Sequence, residues 1–256
     1  MWTRGALKTR AREILAKSYW KALLVSFVMI LIGSDLRSGS VEVRGDMDGG
    51  YFRAFMGKPI AIEETSFVAA GIIGMVLIAV IVAIIIRIFL GYPLEVGGQK
   101  YFIKSTEEEF DINYMAYVFK KDRYMPSIKA MLYRDILIFL WTLLLIIPGI
   151  IKSYAYRMTP YILADNPNIG SKRALELSNQ MTQGQKMNMF ILDLSFIGWY
   201  FLGLLAFGIG VIFVKPYENA TRAELYLVLK ENAFVNGHCN TDELHRVASK
   251  IQEPTI

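Results

Sequence analysis

Three observations predict an all-α polytopic membrane helix bundle of about six transmembrane helices arranged as three hairpins, with interfacial amphipathic helices. The first is Phe67–Leu90, 24 residues with one charge, Arg87; about 20 predominantly apolar residues suffice to cross a bilayer. The second is composition, 54% hydrophobic with a mean hydropathy of +0.36, above the range of soluble domains. The third is a pair of apolar blocks, Leu132–Ala164 and Asn188–Leu229, each too long for one straight span. A continuous helix over the first would measure about 50 Å against a hydrocarbon core of roughly 30 Å.

The elements follow in chain order. Residues 3–18 place Leu7, Ala11, Ile14 and Leu15 on one helical face and basic residues on the rest. That pattern predicts an amphipathic helix lying on an anionic surface. Six Lys/Arg through Lys21 place it on the cytoplasmic side. The hydrophobic run that follows imitates a signal peptide but has no cleavage site after Gly33, so 18–33 is read as a first span. Residues 34–66 form an external loop; Asp46 and Asp48 resemble the opening of a calcium loop that lacks its later ligands. The second span is 67–90. Thr106 and Glu109 have capping-box spacing and predict a helix opening at Thr106.

In the first long block, Pro148 and Gly149 are the candidate hairpin turn between spans 132–147 and 150–164, because Pro lacks a donor and Gly permits a tight reversal. Gly208 and Gly210 mark the turn between spans 188–206 and 209–229. Asn166 and Pro167 predict the start of the intervening helix and Gly184 its end. Lys172, Arg173 and Lys186 put that segment in the cytoplasm. Six crossings satisfy this and the alternative of four does not. Both termini are then inside, and 231–256 is a polar cytoplasmic tail beyond a single membrane domain, 1–230.

Chemistry is sparse. The two histidines, His238 and His245, flank Cys239 in the tail and could in principle meet at a metal ion. No P-loop, G-x-S-x-G or H-E-x-x-H motif is present, so no enzymatic activity and no cofactor is expected. The net charge of +5 sits beside hydrophobic runs rather than in a nucleic-acid motif. It implies anionic lipids at the cytoplasmic face, and no nucleic acid.

Charges inside spans are the remaining site candidates, since they are costly and turn toward the bundle interior or a wet cavity. Asp193 enters the fifth span and needs a basic partner, for which Arg157 is better placed than Lys152. Lys215, Glu218, Asn219 and Arg222 fall at i, i+3, i+4 and i+7, one polar stripe on the sixth helix. The stripe is either a cavity wall or a helix emerging at the interface.

"LWTLLLIIPGIIKSYAYRMTPYILADNP", "ALELSNQMTQGQK", "LDLSFIGWYFLGLLAFGIG" and "VKPYENATRAELY" together resemble the bacterial multi-pass proteins grouped as domain of unknown function 975. The resemblance covers about residues 5–230 and implies a helical protein of the bacterial plasma membrane, without supplying an activity. The expectation is a non-enzymatic membrane subunit or envelope factor acting through protein or lipid partners. The alternative is a small transporter or channel subunit built around a polar intramembrane cavity.

Overall fold

The computed structural model describes residues 2–31, 62–205 and 210–245, and every regular element there is helical. Residues 34–61 of the expected external loop, with Asp46 and Asp48, and the turn residue Gly208 lie outside the described residues, while 62–66, also expected in that loop, are helical.

Helix α1 (Arg4–Leu31) is kinked at Ser18, whose φ/ψ of −152/40 is non-helical. The amphipathic stretch and the first apolar run therefore meet where their compositions change. The destination of the apolar face corrects the sequence reading. Leu7, Ala11 and Leu15 are buried in the protein core rather than turned toward a bilayer. Arg10 pairs with Glu224 at 3.7 Å and Arg12 lies over the Tyr217 ring, so this half crosses the last helix of the bundle. Protein packing satisfies the same hydrophobic demand that lipid would have met.

Helix α2 (Ile62–Ile86) passes through a π-helical turn, Arg87–Gly91, into α3 (Tyr92–Thr106). Pro93 has no N–H, so the carbonyl of Phe89 is freed from the ladder; the Tyr124 hydroxyl donates to it at 2.7 Å. The predicted capping box at Thr106 is not formed. Thr106 is the last residue of α3 and its hydroxyl donates back to the Ile103 carbonyl. The next segment is a 3₁₀ helix, Ile112–Phe119, capped by Asp111 through the Asn113 amide.

Helix α4 (Lys121–Leu144) and α5 (Ile146–Ala155) pack against each other as a hairpin. The reversal falls at extended Leu145, φ −156, and not at Pro148-Gly149. Pro148 sits in the first turn of α5, where a missing N–H costs nothing. Gly149 has a different task. A Cβ there would collide with Thr142, so the glycine lets the two arms close. After a break at Tyr156–Met158 come α6 (Thr159–Asp165), all of it buried, and α7 (Ser171–Met181). The predicted start at Asn166-Pro167 is four residues early, because the Asn166 side chain instead closes a turn by accepting from the Asn168 amide.

The last pair is α8 (Lys186–Leu205) and α9 (Gly210–Val235). Gly203 and Gly210 approach backbone to backbone, with no room for a Cβ on either. Helix α9 is the axis of the molecule, buried from Lys215 to Glu218 except for half-buried Tyr217, and without interruption from Asn219 to Glu231. It runs past the expected end of the membrane domain. Gly237, at φ +69, then reverses the chain, with the His238 amide donating to the Ala233 carbonyl.

The helices form two tiers. Around α3, α6, α7 and the second half of α9 lies a continuous core. Beyond it, α2, the α4–α5 tip and the outer turns of α8 present apolar side chains outward, including Leu143–Ile147, Phe201 and Leu202. Two stretches, Ile72–Thr106 and Lys186–Leu204, are long and apolar enough to cross a membrane.

Candidate functional site: a buried ion-pair layer and its cavity

At the junction of the tiers lies a layer of buried charge. Asp193 on α8 faces two guanidinium ions, Arg157 Nη1 at 2.5 Å and Arg222 Nη2 at 3.3 Å, and accepts from the Tyr154 hydroxyl at 2.8 Å. Arg222 also pairs with Glu218, one turn earlier on α9, and Glu218 in turn binds Lys215 Nζ at 3.0 Å and the Tyr200 hydroxyl. Asn219 donates to Ser26 of α1 at 3.1 Å. The structure thus gathers Arg157, Asp193, Lys215, Glu218 and Arg222 into one network, with Asn219 beside it tying α9 to α1. The polar stripe of α9 faces the interior. Burying such ions is tolerable only because each has a partner of opposite sign.

A second network was not read from the sequence. Glu95 on α3 binds Arg134 Nη1 at 3.2 Å and Arg87 Nη2 at 3.1 Å. Asp135 accepts from Arg134 Nε at 3.0 Å and from the Tyr92 hydroxyl at 2.8 Å. The signal was available: Arg87 and Glu95 are eight apart, near one face of a helix that continues past Leu90, whereas the sequence reading ends the span at Leu90. Deeper in the core, Asp165 binds Lys230 Nζ at 2.8 Å and the Tyr226 hydroxyl at 2.8 Å, with Lys100 at 3.5 Å.

Between the first two networks is a cavity of about 110 Å³. Glu95, Arg134 and Asp135 line one side, Arg157 and Arg222 the other, and the broken helix at Tyr156–Met158 forms part of the wall. Irregular backbone at such a place is expected only where it is buried in protein or lines a cavity.

Part of the tail packs on the bundle. Residues 238–245 dock on α7: Arg173 holds the Glu243 carboxylate at 2.6 and 3.0 Å and donates to the His238 carbonyl, while Cys239 and Leu244 are buried. Burial pushes the Cys239 thiol up to about 11, so it stays protonated at neutral pH and is a poor metal ligand. Among the described residues no group of three His, Cys, Asp or Glu is arranged to hold a metal ion. The Arg173 hydrogen bond holds Glu243 below the usual carboxylate range. A depressed carboxylate contributes stability above its unfolded value of about 4.3 and loses it as pH falls through the folded value. Acidification from pH 5 to 3 is therefore expected to release the 238–245 segment. Hydrogen exchange at the Leu244 amide measures this, and protection unchanged to pH 3 would refute the clamp.

The architecture defines a helical bundle with membrane-length apolar helices arranged around a buried ionic layer. Residues 136–233 match the family described as "Protein of unknown function (DUF975)", so the chain carries a DUF975 domain from the apolar half of α4 to the end of α9. That domain contains all six charged and amide residues selected from the sequence. Glu95, Arg134 and Asp135 lie N-terminal to it, and the match is narrower than the resemblance over 5–230. No curated protein and no solved structure matches the chain.

Proposed function

We propose that the protein is a non-enzymatic integral protein of the bacterial plasma membrane, with both termini cytoplasmic, acting through lipid or protein partners. The observation that carries this reading is α2: from Ile72 to Ile86 every residue except half-buried Gly74 is exposed, and most are Ile, Val, Leu or Ala. An exposed apolar surface of that size is foreign to water-soluble monomers, and lipid is the solvent that suits it. In the finer arrangement, six helices enter the bilayer as three pairs: the second half of α1 with α2, α4 with α5–α6, and α8 with α9. The exposed apolar tip at Leu143–Ile147 supports the second pair. Exposed Arg4, Arg12 and Lys21 would meet anionic headgroups at the cytoplasmic face. The test is extraction of expressed full-length protein from membranes with alkaline carbonate. Retention in the pellet until detergent is added is expected, and release by carbonate alone would overturn the assignment.

A second reading, a small transporter or channel subunit, is favoured by one observation. The cavity pairs a broken helix with titratable side chains, as in transporter sites. Proteoliposome flux distinguishes the two: ion-selective flux that disappears on replacing Arg157 supports transport, and a folded protein without flux supports the first reading.

A further inference from the structure

We infer that the basic stripe on the first half of α1, where it crosses the α8–α9 hairpin, binds a lipid headgroup with two phosphodiesters, as in cardiolipin. The inference rests on the membrane-embedded reading and deepens it by naming the lipid's chemistry.

The stripe is Arg4, Lys8 and Arg12, at i, i+4 and i+8 along a single helical face. None of the three has a carboxylate partner among the described residues. Their neighbours on the same half-helix are committed elsewhere, Arg10 to Glu224 at 3.7 Å and Lys17 to Glu108 at 2.5 Å. Glu13, the one carboxylate within residues 4–18, is exposed and pairs with none of them. Burial, and after it the charges of Arg12 and Arg4, hold Lys8 below the usual lysine value, as expected of like charges with no counterion beside them.

The stripe is seated on the hairpin. Lys8 Nζ donates to the Ser195 carbonyl at 3.3 Å and lies 4.4 Å from the centre of the Phe196 ring, and Arg12 lies over the Tyr217 ring at 5.5 Å. One donated bond leaves two ammonium protons of Lys8 for a ligand. The Tyr217 hydroxyl is buried without a hydrogen-bond partner among the described residues, and a phosphate oxygen drawn in by Arg12 can accept from it. From Arg4 to Arg12 the helix rises about 12 Å, two turns, which gives two phosphates room side by side. A guanidinium at each end supplies the fork that phosphate oxygens match.

The surroundings favour a lipid over a soluble diphosphate. Trp199 packs edge-on against Tyr217 and is itself exposed, in the manner of aromatic side chains at a membrane interface. Leu202 and Phe213, each about one turn nearer the hairpin tip than Trp199 and Tyr217, are exposed as well. Acyl chains can lie on this surface while the phosphates meet the stripe.

The test uses the full chain purified in a neutral detergent. Native mass spectrometry is run with cardiolipin, with phosphatidylglycerol, which has one phosphate, and with inorganic pyrophosphate. One cardiolipin per chain is expected, retained about tenfold more firmly than phosphatidylglycerol. Arg4→Gln combined with Arg12→Gln should weaken that retention by about tenfold or more; both side chains are exposed, so the unfolding transition should not move. Lys120→Gln combined with Lys121→Gln removes equal charge from exposed positions off the stripe and should leave retention unchanged. Equal retention of the two lipids, equal losses from the two double variants, or no lipid retained overturns the site, and pyrophosphate bound as tightly as cardiolipin overturns the lipid assignment. The carbonate extraction is independent of this result, so a protein that stays in the membrane but retains no cardiolipin refutes the site and not the embedding.

Discussion

Replacing Asp193 by Ala is expected to destabilise the protein by about 3–5 kcal/mol, the usual consequence of removing one partner from a buried ion pair. Arg157 and Arg222 both point at this carboxylate, and Arg222 alone has a second carboxylate, Glu218, to fall back on. The loss is therefore concentrated on Arg157. Pairing Asp193→Leu with Arg157→Met removes both ions and leaves the Arg222–Glu218 pair in place; it should recover at least half of the lost stability. Unfolding of the detergent-solubilised chain by heat or denaturant measures both variants. An Asp193→Ala protein within about 1 kcal/mol of the parent would show that the carboxylate is well solvated, and that the layer is not buried as described above.

The second large effect is expected at Gly97, and its control is the adjacent residue. Helix α3 lies so close to the 3₁₀ segment that a Cβ on Gly97 would strike the Met115 backbone carbonyl. Backbone cannot rotate aside as a side chain can, so Gly97→Ala should cost about 2–3 kcal/mol, the upper part of the range for overpacking. Gly98→Ala would meet only the Met29 side chain, with Sδ at 2.5 Å from the new atom. That flexible thioether can shift, and the helical preference for Ala over Gly, close to 1 kcal/mol, offsets the adjustment. Gly98→Ala is thus expected near neutral. Equal effects at the two positions, measured by the same unfolding transitions, would contradict the close approach of α3 to the 3₁₀ helix.

The candidate site was readable from the sequence to the extent that its charges were periodic. Lys215, Glu218, Asn219 and Arg222 repeat at helical spacing, and a lone Asp193 within an apolar run demands a cation; the structure brings these together with Arg157. Glu95 escaped because the second span is read as ending at Leu90, where its apolar run stops. A π-turn and a donated tyrosine hydroxyl carry the helix through instead. Tertiary partners also decided the other misreadings. The apolar face of α1 found protein rather than lipid, a choice no periodicity can reveal, since both environments reward the same residues. Pro148-Gly149 is a strong turn signal locally, but reversal at Leu145 lets Gly149 serve the packing of the arms against Thr142. The docking of 238–245 was not legible because its anchor, Arg173 with Glu243, joins residues 70 apart.

The two tiers differ in reach, and that difference has a mechanical meaning for a bilayer on the membrane-embedded reading. Helix α2, at 25 residues, is about 37 Å long, enough to touch both faces of a hydrocarbon core of roughly 30 Å. From the ionic layer to the end of α4, by contrast, only Ile136–Leu144 remains, about 14 Å, which is half of that depth. One leaflet then accommodates fewer helices than the other, since α2 and the Lys186–Leu204 stretch of α8 are long enough to cross while the α4–α5 tip stops short. An inclusion with such unequal cross-sections is a wedge. Its insertion energy rises and falls with the bending and thickness of the surrounding lipid, so local membrane shape would govern where in the cell envelope the protein accumulates.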